Sequence, residues 1–181
     1  MKGWIPALLL LFAPAFAPGD NLVDSDVRFE AGRYILHLEV EIDAPVESVF
    51  AVITDYRNLV RLSPRIKASR LERKVSAGDM VVTRVKACWL CPTIERTEIV
   101  STNPPHELEA TVIPQKGQLK FGATSWKLSK YGTGTFLVYH TEIEPDFWVP
   151  VFIGRAAFKK RMRANTLESF QIIERLAQER R

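Results

Sequence analysis

Alternating apolar and polar residues run through the middle of the chain and predict a series of β-strands. In segment 33–43, for example, Tyr34, Leu36 and Leu38 share one face with Val40 and Ile42, while polar side chains occupy the other. Similar segments occur at 27–30, 66–75, 80–89, 93–101, 107–113, 119–130 and 135–144. The segments are joined by short turns rich in Gly, Pro, Asn and Asp, so we expect an antiparallel sheet of about seven strands.

Helical periodicity replaces alternation in three places. A proline and two acidic residues in 43–47 predict the start of a short helix. A second short helix is expected at 57–62, ending before Ser63 and Pro64, because the residue before a proline disfavours helical geometry. From 151 to 179 apolar residues recur every three or four positions, which predicts a long amphipathic helix. This order indicates an α+β domain in which the long helix covers a curved sheet and encloses a cavity suited to an apolar ligand.

The first seventeen residues have the layout of a secretory signal peptide. Lys2 precedes an apolar run of about a dozen residues, and small residues follow at Ala13, Ala15 and Ala17. A bilayer-spanning helix needs roughly 20 apolar residues, so cleavage after Ala15 or Ala17 is favoured over the alternative, a retained anchor. We therefore expect residues 1–17 to be a signal peptide, residues 18–181 to form one domain, and the protein to work in the periplasm.

Composition agrees with one globular domain. The chain is 46% hydrophobic, with charges of both signs and a formal net charge of +4. Because this charge is mild and export is predicted, we expect no nucleic-acid partner.

Cys88 and Cys91 are the only cysteines and lie near the turn of a predicted hairpin. In an oxidising compartment their default state is a disulfide. A redox-active pair would sit at a helix N-terminus, and a zinc site would need further ligands, so both alternatives are disfavoured. We expect no metal and no cofactor.

The apolar faces of the sheet and the long helix supply candidate ligand contacts. In strand 135–144, either Leu137 and Tyr139 or Phe136 and His140 face the cavity, and the first face is the more continuously apolar. The full set of expected contacts is Tyr34, Leu36, Trp89, Trp126, Leu137, Tyr139, Phe158 and Met162.

A second candidate surface combines aromatic and basic residues before and along the first half of the long helix. Phe147 and Trp148 stand between prolines, and Arg155, Lys159 and Arg163 follow four residues apart, on one helical stripe. Such residues could form a ligand portal at a membrane surface, the aromatics entering the interface and the cations meeting anionic headgroups. The alternative is an ordinary solvated helix face.

Short motifs at the element boundaries resemble those of a known superfamily. They are Ile42-Asp43-Ala44-Pro45-Val46-Glu47-Ser48-Val49-Phe50, Thr54-Asp55-Tyr56, Leu62-Ser63-Pro64, and Trp126 before Gly132-Thr133-Gly134-Thr135. The chain resembles the START-related helix-grip (SRPBCC) superfamily of lipid-transfer and polyketide-cyclase proteins. It looks most similar to the bacterial branch with coenzyme Q-binding proteins and ribosome-association toxins. The resemblance implies a helix-grip fold; because the motifs are fold signatures, it says less about function.

No phosphate loop, nucleophile elbow or metal-ligand cluster occurs in the sequence. His37 and His106 are expected to face solvent, and the acidic pairs Glu95 and Glu98, and Glu142 and Glu144, are expected on the solvated outer face of the sheet.

We therefore expect periplasmic binding, with or without transport, of a hydrophobic small molecule such as a lipid or quinone, by a monomer and without catalysis. The alternative is a polyketide cyclase/dehydratase-like enzyme, for which Tyr139, His140, Arg84 or Arg96 would be candidates. A third reading is an interaction protein whose cavity has collapsed around Trp126 and Tyr34.

Overall fold

The structure is a computed structural model that describes residues 21–86, 93–146 and 154–180, without the side chains of residues 115 and 155. The expected signal peptide therefore lies outside the described residues. The same holds for the cysteine pair Cys88 and Cys91, and for Trp89, Phe147 and Trp148.

Strands dominate the described part of the chain. They are β1 (Leu22–Glu30), β2 (Arg33–Ile42), β3 (Ile66–Val75), β4 (Gly78–Val85), β5 (Ile94–Asn103), β6 (Glu107–Val112), β7 (Leu119–Tyr131) and β8 (Gly134–Pro145). They form one antiparallel sheet in the order β1-β2-β8-β7-β6-β5-β4-β3. The α+β architecture is as predicted, with eight strands rather than about seven, because the first segment is a full strand paired with β2.

Two α-helices and two short 3-10 helices complete the described fold: α1 (Val46–Ile53), α2 (Gly154–Gln178), and the 3-10 turns Leu59–Arg61 and Pro114–Lys116. The helix expected at 57–62 is only the turn Leu59–Arg61. Asn58 Nδ2 donates to both carboxylate oxygens of Asp55 at 3.0 Å, which holds the chain in a tight turn before it. Pro64 then prevents a further helical turn. No helix in the described ranges combines the length and apolar character of a membrane span.

The long helix α2 lies over one face of the sheet, which we call the inner face. Alternation along β2 directs Leu36 and Leu38 to this face, where neither has any solvent exposure. Phe170 and Ile173 of α2 belong to the same core, at 5% and 1% exposure. Packing of its apolar stripe against this face stabilises α2, because most helix stability in proteins comes from tertiary packing of an amphipathic face.

Candidate functional site

An aromatic cluster joins the inner face to α2. The ring of Trp126 on β7 lies 4.7 Å from that of Tyr139 on β8 and 5.6 Å from that of Phe170, centroid to centroid. Tyr139 and Phe170 are 5.4 Å apart, and all three pairs meet edge to face. Edge-to-face pairs contribute roughly 0.5–1.5 kcal/mol beyond burial, so the cluster fixes the second half of α2 to the sheet.

A second aromatic contact anchors the first half of α2. The ring of Phe158 lies 4.2 Å from that of Tyr34 on β2, and Phe29 packs on Tyr34 at 4.6 Å. Tyr34 is buried at 4% exposure, whereas Phe158 is half-buried.

The other expected ligand contacts also lie on the inner side. Leu36 and Leu137 have no solvent exposure, and Met162 is partly buried against the core. The face of β8 that meets α2 is the one with Leu137 and Tyr139, as predicted. The structure thus brings seven of the eight expected contacts to the side of the sheet covered by α2, with Trp89 outside the described residues. Their role in ligand binding stays a prediction.

Polar side chains form a row across one half of this apolar face. Ser69 on β3 pairs with Thr83 on β4, and Thr83 pairs with Arg96 on β5. Two residues further along each strand, Val81 and Glu98 are paired in the same register, and Val81 belongs to the core. Because side chains two positions apart share a face, Ser69, Thr83, Arg96 and Glu98 all point toward the α2 side.

Arg96 and Glu98 form an ion pair inside the fold. Arg96 Nε lies 3.0 Å from Glu98 Oε2, and Glu98 is only 6% exposed. Burial raises the pKa of Glu98 above its ordinary value, while the positive charge of Arg96 acts in the opposite direction. The Glu98 carboxyl is therefore held where water has little access, whereas the Arg96 side chain is 29% exposed.

The Tyr139 hydroxyl belongs to the same polar region. Burial raises the pKa of Tyr139, partly offset by Arg96 and by hydrogen bonds with Thr141 and Thr124. The two threonine hydroxyls are themselves hydrogen-bonded at 2.8 Å. With its pKa raised, Tyr139 stays protonated at neutral pH and can donate a hydrogen bond.

Three atoms in this polar region are buried without a hydrogen-bond partner: Ser69 Oγ, Thr83 Oγ1 and Arg96 Nε. Arg96 Nε is close to Glu98, but its N–H does not point at the carboxylate. More than nine in ten buried polar groups in proteins are hydrogen-bonded, so a cluster of unpaired donors requires a reason. A polar group of a bound molecule, accepting from these donors, would satisfy them.

The position of Glu98 corrects the sequence-based expectation. Glu95 is exposed, as expected, but Glu98 points inward. The two residues are three positions apart on one strand, so they must lie on opposite faces. The odd spacing of Glu95 and Glu98 was the signal in the sequence that could have identified Glu98 as inward-facing. Thr83 and Ser69 follow from it only once the strand register is known.

The outer face of the sheet carries the other charged groups considered from the sequence. His37 and His140 are cross-strand neighbours with ring centroids 6.1 Å apart, and Nε2 of His140 lies 3.4 Å from Glu142. Glu142 and Glu144 both pair with Arg33, at 3.4 and 3.5 Å. Arg84 also lies on this side and is exposed.

Of the four enzymatic candidates, Tyr139 and Arg96 face inward, whereas His140 and Arg84 face outward. His106 contacts the Leu128 carbonyl oxygen through Nδ1 at 3.2 Å.

The predicted portal stripe lies at the start of α2. Arg163 Nε donates to Ser25 Oγ on β1 at 2.9 Å, and Lys159 is half-buried. The backbone of Arg155 is helical, and Phe147 and Trp148 lie outside the described residues. Contact of this stripe with a membrane stays a prediction.

Within the described ranges, no three histidine, cysteine or acidic side chains are arranged as ligands for one metal ion. The polar region at Arg96 contains a single carboxylate, so its chemistry is hydrogen bonding and proton transfer.

Comparisons with known proteins agree with this geometry. A START superfamily protein from Mycobacterium smegmatis superposes with a TM-score of 0.66 at 14% identity, covering 81% of this chain and 99% of its own. The Zhui aromatase/cyclase from Streptomyces sp. R1128 gives 0.63 at 11% identity, covering 82% and 95%. A STAR-related lipid transfer protein from Xanthomonas axonopodis gives 0.62 at 13%, covering 82% and 98%. At these identities the likeness concerns the fold.

No curated protein is significantly similar to the chain in sequence. A family model described as "Polyketide cyclase / dehydrase and lipid transport" matches residues 35–171. That match includes β2 to β8, most of α2, and every member of the polar row. The chain belongs to the polyketide cyclase/dehydrase and lipid transport family, with the helix-grip fold of START-related proteins.

Proposed function

We propose that the protein binds a mostly apolar small molecule between the sheet and α2, and that it holds a polar group of that molecule at Arg96. A lipid or quinone is the class of ligand that fits, with an apolar body against Trp126 and Tyr139. The observation that carries the proposal is the row of three buried atoms without a hydrogen-bond partner, Ser69 Oγ, Thr83 Oγ1 and Arg96 Nε, on a largely apolar face. Family membership and START-related neighbours support hydrophobic ligand binding.

We also propose that this binding takes place in the periplasm. The support is the signal-like pattern of residues 1–17, a basic residue followed by an apolar run and small residues. A carrier in that compartment would exchange its ligand with a membrane by transient contact with its surface. The closer relationship to coenzyme Q-binding proteins remains part of this proposal.

Binding of cis-parinaric acid, a fluorescent fatty acid with one carboxylate, tests the polar anchor. The double variant Arg96→Met/Glu98→Met keeps the volume of the pair and removes both charges together. It therefore leaves no uncompensated buried charge. We expect its affinity for the probe to fall roughly tenfold or more, since a hydrogen bond to a charged group contributes about 1.5–3 kcal/mol.

The matched control is Arg33→Met/Glu142→Met, which removes an ion pair of 3.4 Å from the outer face of the same sheet. The control should bind the probe like the wild type. Equal binding by all three proteins would contradict the role of Arg96 in holding the polar group of the ligand. No binding by the wild type would contradict the proposed function.

Cyclase- or dehydratase-like catalysis is a second candidate, favoured by the proximity of Glu98 and Tyr139. A buried carboxyl with a raised pKa keeps its proton to a higher pH than an exposed one and can act as a general acid, and Tyr139 can donate to a developing oxyanion. Incubation with a poly-β-ketone substrate, followed by the absorbance of an aromatic product, tests it. Catalysis is supported if the wild type forms product and Glu98→Gln does not, while Glu98→Gln still binds the probe. If the wild type forms no product, binding is the function that remains.

A further inference from the structure

Charge is divided between the two sides of the molecule. Residues 57–86 hold nine lysines and arginines but only two acidic residues, a net charge of +7. Residues 21–56 hold eight acidic residues and two arginines, a net charge of −6. The acidic segment forms β1 and β2 at one end of the sheet and then α1, and the basic segment forms the 3-10 turn Leu59–Arg61 and then β3 and β4 at the other end. The mild overall charge conceals this division.

The exposed cations of the basic segment lie on β3, on β4 and in the segment before β3, and we call this set the basic edge. Its members are Arg57, Arg61, Lys67, Arg70, Arg73, Lys74 and Arg84. Within this segment Glu72 is the one exposed carboxylate, and exposed Glu95 on β5 lies opposite Arg84. The other acidic residue of the segment, Asp79, is half-buried. Burial raises the pKa of Tyr56 to about 12, and the charge of Asp79 adds to this effect. None of these seven cations forms an ion pair with another described residue.

The topology makes two arginines of the basic edge neighbours on one face. β3 is the last strand of the described sheet, and β4 is its only partner among the described strands. Arg70 pairs with Val82, and Arg84 with Ala68, so both arginines lie on the outer face as diagonal neighbours. The register shifts between Ile66 and Ala68 and again between Leu71 and Arg73. Irregularities and charges of this kind keep an edge strand from pairing with another strand.

An exposed aliphatic side chain accompanies the cations. Val60, 40% exposed, lies between Arg57 and Arg61 in the 3-10 turn that packs beside β3. An apolar side chain flanked by cations suits the interface of an anionic bilayer, where the cations meet headgroups and the apolar group enters the acyl boundary.

We propose that the basic edge docks the protein on an anionic phospholipid surface. A headgroup layer is broad and uniformly charged, so it matches a broad edge of like charges, whereas a protein partner would need shape complementarity. The proposal rests on the proposed function in one respect, because a carrier of an apolar ligand must meet the membrane that supplies or receives it. It places the contact on β3 and β4 rather than on the α2 stripe, where Arg163 already bonds Ser25.

Co-sedimentation with vesicles of phosphatidylglycerol and phosphatidylcholine, at low and high salt, tests the proposal. Each cation near an anionic surface contributes about fivefold in partitioning, so Arg70→Gln/Arg73→Gln/Arg84→Gln should bind about 100-fold more weakly at low salt. The difference should shrink at high salt, because screening weakens surface charge interactions.

The control, Lys120→Gln/Lys127→Gln/Lys130→Gln, removes the same charge from exposed positions on β7 and should bind like the wild type. An equal loss in both variants, no binding by the wild type, or equal binding to pure phosphatidylcholine would overturn the proposal. A different outcome would overturn it in favour of a dimer: the wild type self-associates, does not bind vesicles, and loses self-association in the first variant. The basic edge would then contact the acidic side of a second copy. Parinaric acid binding should be unchanged in both variants, so failure here is distinguishable from failure of the proposed function.

Discussion

Glu98 is a buried carboxyl beside Arg96 on the inner face, and its protonation is tied to folding. In the unfolded chain its pKa is near the ordinary 4.5, and burial raises it in the folded protein. The folded state therefore holds this proton more tightly. Its contribution to stability is fully present below about pH 4.5 and is lost as the pH rises through the folded pKa.

We predict that Glu98→Gln stabilises the protein relative to the wild type at neutral pH, with a benefit that shrinks as the pH falls toward 4.5. Gln cannot ionise but keeps an oxygen for Arg96. Urea denaturation at several pH values measures the difference. Glu95→Gln, at an exposed site of the same strand, should show no such trend. A benefit that is constant with pH would show that Glu98 does not titrate differently in the folded state.

Trp126 carries two ring contacts between the sheet and α2. Its replacement by alanine should lower the free energy of unfolding by about 3 kcal/mol, the usual cost of removing a large aromatic side chain from a packed site. Tyr131→Ala, which removes a ring that is 57% exposed, should change stability by less than about 0.5 kcal/mol. A small loss of stability in Trp126→Ala together with weaker probe binding would instead place this ring at an open cavity.

The sequence predicts the strands more accurately than the short helix. Alternation and turn residues are local, so most strands are predicted to within a few residues, as in 66–75 for β3 and 119–130 for β7, whereas β1 begins at Leu22 rather than at Val27. The prediction of a short helix at 57–62 was wrong, because the Asn58–Asp55 hydrogen bond and Pro64 together limit this segment to one turn. Local periodicity in so short a segment does not separate a helix from a tight turn.

The turn between β3 and β4 depends on one glycine. Gly78 has a φ of +137°, and a Cβ there would overlap the backbone carbonyl of Val100 on β5. We predict that Gly78→Ala costs about 2 kcal/mol or more, because it combines backbone strain with a displaced strand.

Gly132→Ala is the control for that change. Gly132 also has a positive φ, +59°, but nothing lies within 4 Å of an added Cβ. Its cost should be about 1 kcal/mol from the backbone alone. Thermal or urea denaturation of both variants gives the comparison, and equal costs would mean that contact with β5 does not matter.

At the scale of the whole molecule, the sequence predicted the layers but not the interior chemistry. The order of elements and the boundary motifs predicted a sheet covered by α2, and the apolar faces of β2 and β8 were correctly oriented. The polar row depends on the register of three strands, which brings Ser69, Thr83 and Arg96 side by side from positions 14 and 13 residues apart. Such long-range register is not contained in any local pattern.

The central claim is that an apolar molecule with a polar group occupies the space between the inner face and α2. Native mass spectrometry of the protein isolated from the cells that produce it, followed by organic extraction, measures this directly. We predict an extractable hydrophobic compound bearing a hydrogen-bond acceptor, carried by the wild type and by Arg33→Met/Glu142→Met but lost from Arg96→Met/Glu98→Met. A wild-type protein that shows only the mass of the bare chain, with no compound in the extract, would contradict the claim.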